Sequence, residues 1–278
     1  MIKKNLKYYL KGKLTEKELA LVPTSFDVVG DIIIFSEFPK ELAKKEKLIG
    51  QTILEQYPHI KVILKKTKKY SGRFRTPKLR VITGEKRKET LCKENNIILK
   101  LDVEKVYYSV RMSSERKRIA ELVQPHESVL VMFSGSGVYP LVIARNSKCK
   151  EAYGIEINPA AHKYASENVK KNKLEPKIRL FSGNVRKIMP KISKKFDRIL
   201  MPLPKGGEDF LGLSLKYIKN KGIIHFYDFL HEGEFSKAEE KIKKACEASK
   251  KRYEILNVVK CGQYSPGFYR VCADFQVN

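Results

Sequence analysis

Between residues 128 and 228 the chain alternates short apolar runs with longer amphipathic stretches. Residues 128–133, 151–156, 177–182, 196–201 and 222–228 read as strands. Residues 138–146, 159–172, 207–219 and 234–250 repeat apolar positions at helical spacing. A further helix is predicted over 114–123, and 253–260 with 269–275 reads as a closing antiparallel pair. Strand–helix alternation demands a mostly parallel sheet with helices on both faces, and such sheets bind ligands at the carboxyl ends of their strands.

The first hundred residues follow another rhythm. A helical piece over 14–21 and a turn leading into a strand over 23–35 come first. Leu42, Leu48, Ile49, Ile53 and Leu54 then mark a helix over 41–57, followed by strands at 62–64, 79–83 and 96–101. The pattern predicts a small N-terminal α+β domain over 1–105 and an α/β domain over 106–278.

Charge adds a partner. The 278 residues carry a net +26, which points to a polyanion, most simply nucleic acid. Residues 61–90 hold twelve Lys/Arg against two Glu. Tyr70, Arg73, Phe74, Arg75 and Arg80 mix rings with guanidinium groups there, a combination that contacts RNA phosphates and unpaired bases. The bland alternative is a solvated strand pair. The five cysteines form no CxxC pair and read as reduced thiols. His162, His225 and His231 have no metal-ligand spacing, so no metal is expected. No apolar run approaches membrane-spanning length and the N-terminus lacks a signal-peptide core, so a cytoplasmic protein without membrane contact is expected.

Candidate chemistry gathers at three successive strand ends. The first strand ends in Phe133 and the turn Ser134-Gly135-Ser136-Gly137. The second ends in Glu156, about twenty residues past those glycines, followed by Asn158-Pro159 as N-cap and N1 of a helix. The third ends in Gly183-Asn184-Val185, where Asn184 can accept from and donate to an adenine edge. Glycines let backbone N–H groups approach a ligand, and an acid at the second strand end can accept from two ribose hydroxyls. The alternative is that the glycines only turn the chain and Glu156 is a surface acid. Three suitable ends together favour a nucleoside-bearing cofactor. The layout resembles class I S-adenosylmethionine-dependent transferases, whose methionine tail suits two serines better than a diphosphate does.

The fourth strand ends in Leu200-Met201-Pro202-Leu203-Pro204, which offers no polar side chain to hold a target nitrogen. The segment from Val106 through Tyr108, Ser109, Arg111, Glu115 and Arg116, the Phe133–Pro140 run, the residues from Gly154 to Pro159 and from Asp197 to Pro204, and the Gly222–Tyr227 run resemble the archaeal tRNA guanine-37 N1-methyltransferases and their relatives. Pro23–Asp27 and the Gly84-Glu85 turn extend the likeness into the N-terminal domain. Methylating members carry Asn-Leu-Pro where this chain has Pro202-Leu203-Pro204. The chain is therefore more similar to the wybutosine-synthesising tRNA aminocarboxypropyltransferases.

That resemblance implies a class I methyltransferase-like Rossmann sheet and S-adenosyl-L-methionine as co-substrate. It implies transfer of the 3-amino-3-carboxypropyl group to 4-demethylwyosine at position 37 of tRNA-Phe, with release of methylthioadenosine. Ser109, Arg116, Phe133, Ser134, Gly135, Ser136, Glu156, Asn184 and Val185 would hold the cofactor, Arg116 by forking its carboxylate. Tyr108, Arg111, Met201 and Pro202 would line the substrate pocket. The protein would meet the anticodon-loop region of tRNA as a monomer, and no general base is evident. Asn184 departs from the Asp of many relatives. Guanosine-37 N1-methylation and a non-catalytic RNA-binding module remain the alternatives.

Overall fold

The computed structural model describes residues 6–278. It divides into two compact units, one of residues up to 93 with 98–110, the other of 94–97 with 111–278.

In the first unit, α1 (Leu6–Leu10) and α2 (Glu16–Leu21) come first. Thr15 and Glu18 close a reciprocal capping box at the start of α2. β1 (Phe26–Val29) and β2 (Ile32–Phe35) pair antiparallel, so the stretch expected as one strand is a hairpin. Gly30 makes the reversal at φ +57, and a Cβ there would sit 2.2 Å from the Leu91 carbonyl oxygen. A 3-10 turn over Lys40–Lys45 leads into α3 (Glu46–Gln56). β3 (Val62–Ser71) and β4 (Thr76–Gly84) are longer than the sequence pattern predicts. The sheet order is β1-β2-β3-β4, with β2 and β3 parallel. Leu10, Ile33, Phe35, Leu42, Ile49, Ile53 and Ile63 form the core between sheet and helices. β5 (Glu89–Glu94) and β6 (Ile97–Asp102) make a separate ribbon.

The second unit begins with α4 (Ser113–Leu122) and then alternates. It runs β7 (Ser128–Met132), α5 (Val138–Asn146), β8 (Glu151–Glu156), α6 (Pro159–Lys171), β9 (Ile178–Ser182), α7 (Val185–Ile192) and β10 (Phe196–Met201). α8 (Leu211–Tyr217), β11 (Ile218–His231), α9 (Ser236–Ala248), β12 (Tyr253–Ser265) and β13 (Phe268–Val277) complete it. The order β12-β13-β11-β10-β7-β8-β9 puts five parallel strands beside an antiparallel pair. β7 and β10 are neighbours that lead away in opposite directions, which makes their carboxyl ends the switch point where such sheets bind ligands. β7 is buried throughout, as an apolar run covered on both faces must be. Among the described residues no helix is long and apolar enough to cross a membrane.

One polar chain runs through this core. Arg198, 1% exposed, donates to Glu127 and to the Leu122 carbonyl, and lies 2.7 Å from His225 Nε2. An arginine only donates, so Nε2 accepts and His225 carries its proton on Nδ1, 2.5 Å from Asp274. Arg118 bridges Asp274 and Glu115, and Glu115 accepts from Tyr227 at 2.7 Å. Burial pushes Asp274 up, but the hydrogen bonds from His225 and Arg118 and the Arg118 charge outweigh it and hold the carboxyl well below its ordinary range. His225, Cys272 and Asp274 lie close enough to hold a metal, yet the flanking guanidinium groups already supply the positive charge.

Candidate cofactor and RNA site

The turn after β7 is held from the end of β8. Phe133 leaves the strand at φ 60, a left-handed conformation costly for a bulky residue and concentrated at functional sites. Gly137 has φ +80, and a Cβ on it would lie 3.1 Å from the Ala165 Cβ of α6. Glu156 Oε2 accepts from the Gly135 amide and Oε1 from the Asn158 amide, both at 2.7 Å. The carboxylate is therefore aimed by backbone at both strand ends, and each oxygen keeps a further lone pair for a ligand hydroxyl. Burial pushes the Glu156 carboxyl above its ordinary range, against the lowering effect of those amides. Asn158 caps α6 through the Ala160 and Ala161 amides.

Ser134 and Ser136 are buried, and neither hydroxyl has a hydrogen-bond partner among the described residues. Buried hydroxyls lacking partners cost about 1–3 kcal/mol each, so the pair marks a place where a polar ligand belongs. Gly154 keeps the space open, because a Cβ there would stand 2.9 Å from Ser134 Oγ. Two orphan hydroxyls, a glycine-rich turn and an aimed carboxylate fit a nucleoside with a polar tail.

After β9, Asn184 caps α7, its Oδ1 accepting from the Arg186 amide at 2.9 Å. That uses one lone pair of the amide expected to read adenine; the second lone pair of Oδ1 and the NH₂ group remain for a ligand. Val185, the next residue, is buried. Two neighbours escape the sequence reading. Phe210 packs edge-on to Phe133 at 4.9 Å between centroids, and the Arg186 guanidinium lies 4.6 Å from the Phe210 ring centre. An aromatic shortly after a proline turn is the only signal that marks Phe210 beforehand.

Met201 is fully buried, and its carbonyl accepts from the Leu203 amide at 2.7 Å, a tight turn around Pro202. Neither residue presents a polar side chain. Arg116 is 3% exposed, and its guanidinium donates twice to Glu94, at 2.6 and 2.5 Å. The fork expected for a ligand carboxylate thus meets a side chain of the ribbon, and the neighbouring Glu115 pairs with Arg118. Arg111 lies in a short 3-10 turn leading into α4, beside Met112, which comes within 3.9 Å of where a Cβ on Gly262 would be. Tyr108 and Ser109 belong to the first unit, where they line a small cavity with Asp27, Ile34 and Lys66.

The basic stretch falls on β3, β4 and their extension. Among the described residues, Lys65 and Arg80 share the buried Glu46, Arg87 grips Asp31 and Glu85, and Lys88 pairs with Glu104. Lys68 and Lys78 instead stand directly opposite each other on the exposed ladder. Like charges so placed repel, which a bound polyanion would relieve. Phe74 is exposed at the tip of this pair, beside Arg73, while the Tyr70 side chain lies outside the described residues.

The family model described as the TRM5/TYW2 methyltransferase domain matches residues 90–256, and that described as the TYW2 N-terminal domain matches 6–87. The chain is 37% identical over 258 residues to a tRNA (guanine(37)-N(1))-methyltransferase Trm5b of Pyrococcus abyssi, covering 92% of this chain and 76% of the relative. It is 32% identical over 254 residues to a tRNA(Phe) (4-demethylwyosine(37)-C(7)) aminocarboxypropyltransferase of Methanocaldococcus jannaschii, covering 90% and 96%. Among solved structures, P. horikoshii TYW2 in complex with MeSAdo superposes with a TM-score of 0.84 at 27% identity, covering 99% and 98% of the two chains.

Proposed function

We infer the reaction from the premise that this chain belongs to the TRM5/TYW2 methyltransferase family and is an S-adenosylmethionine-dependent tRNA-modifying enzyme. Its proposed activity is transfer of the 3-amino-3-carboxypropyl group to 4-demethylwyosine at position 37 of tRNA-Phe. The observation that carries this reading is the Met201–Leu203 turn. A methylating site needs a polar side chain to hold a nitrogen, whereas Met201, Pro202 and Leu203 offer only apolar ones, and the Met201 carbonyl already accepts the Leu203 amide. The match of the TYW2 N-terminal domain and the near end-to-end coverage of the aminocarboxypropyltransferase support the same branch.

A bound sulfonium supplies an alkyl carbon whose bond to sulfur breaks as a neutral thioether leaves. The acceptor ring carbon would form the new bond and release its proton to solvent water, which balances the charge lost from the sulfonium. Glu156 would hold the ribose, Asn184, Val185, Phe133 and Phe210 would enclose the adenine, and Ser134 and Ser136 would anchor the polar tail. Catalysis then rests on positioning, since the carbon set in line with the acceptor is the one transferred. The exposed cations of β3 and β4 would contact tRNA phosphates.

A second reading, N1-methylation of guanosine-37, is favoured by the higher identity to Trm5b. Donor labelled separately in its methyl group and in its aminocarboxypropyl chain, incubated with precursor-bearing tRNA, separates the two. The proposal predicts chain label on the RNA and no methyl label. Methyl label on the RNA overturns it.

A further inference from the structure

α4 covers one face of the sheet only part of the way. Arg118 meets Asp274, Glu115 meets Tyr227 opposite Cys272, and Met112 reaches Gly262 opposite Arg270. Each step up the helix by three residues matches a step of two along β13, and at Met112 the helix ends. The sheet does not end there. By register, Met201 lies level with Phe226, and β11 continues five residues to His231. That lifts the β11–β13–β12 wall roughly 16 Å above the carboxyl end of the neighbouring strand.

The uncovered face of this wall is aromatic and cationic. Phe229, His231, Tyr264 and Phe268 form one cluster, with Phe229–Tyr264 centroids 4.7 Å apart and His231–Phe268 centroids 4.6 Å apart. The Arg270 guanidinium lies 5.1 Å from the Phe229 ring centre. Tyr264 is 65% exposed although Phe229 and Phe268 pack at its base. No Asp or Glu occurs from Ile255 to Ala273.

We propose that this wall is a stacking platform for an unpaired base of the RNA substrate, with Tyr264 as the outer ring and Arg270 as its cationic support. The inference rests on the tRNA reading above. The hairpin segment from Ile255 to Ala273 carries no acid of its own, and Glu232 beside it is paired with Lys260, so on a strongly cationic protein this segment attracts a polyanion. A ring held upright by Phe229 and Phe268 loses little freedom when a base lies on it. Base–aromatic stacking of about 1–3 kcal/mol corresponds to roughly 5- to 150-fold in affinity.

The test uses the full chain and an anticodon stem-loop RNA carrying 2-aminopurine in the loop. Tyr264→Ala is expected to weaken binding by roughly 5- to 150-fold and abolish 2-aminopurine quenching, while Tyr264→Phe retains both. S-adenosylmethionine affinity, measured by calorimetry, reports that the variants are folded. Unchanged RNA affinity in Tyr264→Ala, or equal losses in Tyr264→Ala and Tyr264→Phe, overturns the platform. Failure of the transfer reading shows elsewhere, as methyl label on RNA with wild-type protein.

Discussion

Glu156 Oε2 accepts the Gly135 amide at 2.7 Å, so the acid at the end of β8 fixes the turn at the end of β7. The same carboxylate is poised to accept ribose hydroxyls. Glu156→Ala removes both functions, and hydrogen bonds to a charged group are worth about 1.5–3 kcal/mol each. Calorimetry should show S-adenosylmethionine affinity reduced at least about tenfold. An unchanged affinity would place the ribose elsewhere.

Cofactor affinity should also depend on pH through this group. Burial raises its folded pKa above 4.5, and hydroxyl donors favour the ionised form. Affinity therefore holds at neutral pH and falls as pH drops through the raised value, by about tenfold per unit below it. Glu156→Gln should bind more weakly at neutral pH and show a flat profile. A sloping profile in Glu156→Gln would assign the titration to another group.

The Arg116–Glu94 pair makes a prediction about stability rather than ligand affinity. Both side chains are buried, so removing one leaves a charge without compensation, at a cost of about 3–5 kcal/mol. Arg116→Ala should lower the denaturation midpoint strongly, and Arg116→Met with Glu94→Gln should recover part of the loss. A stable Arg116→Ala protein that no longer binds the donor would restore Arg116 to the cofactor.

The pKa of the buried His225 is shifted in the opposite direction to that of Glu156. Burial lowers its folded pKa below 6.5, so its contribution is complete above that value and is lost as pH falls below it. Asp274, also depressed, acts in the same direction but only below 3.8. Unfolding free energy should therefore decline on acidification from about pH 6.5, by at most about 1.4 kcal/mol per unit from this group. His225→Gln keeps a donor and an acceptor and should flatten that slope. An unaltered slope would show that another group sets it.

For the basic ladder, Lys68→Glu with Lys78→Glu should weaken tRNA binding and lower the salt dependence by about 0.7–0.9 for each phosphate no longer neutralised. An unchanged slope in that variant would remove β3 and β4 from the interface. Changes at Lys65 or Arg80 should act instead on stability, through Glu46.

The α/β alternation is legible in the sequence because strands buried on both faces carry apolar runs; β7 from Val129 to Met132 and β10 from Ile199 to Met201 follow that rule, while β8 is bounded by Glu151 and Glu156. α7 is not, because Pro190 and three basic residues interrupt its eight-residue pattern. β5 hides for a related reason, since its short Glu-Thr-Leu-Cys-Lys-Glu stretch has only two buried positions. In the site, the glycine turn and Glu156 are local signals. The Glu94 partner of Arg116 lies 22 residues away on another element, and Phe210 becomes a neighbour of Phe133 only through the sheet.

The central claim concerns which carbon leaves sulfur, and the small-molecule by-product reports it directly. With precursor-bearing tRNA-Phe and S-adenosylmethionine, mass spectrometry should find methylthioadenosine formed in step with RNA modification. S-adenosylhomocysteine in its place would make the protein a methyltransferase and contradict the account.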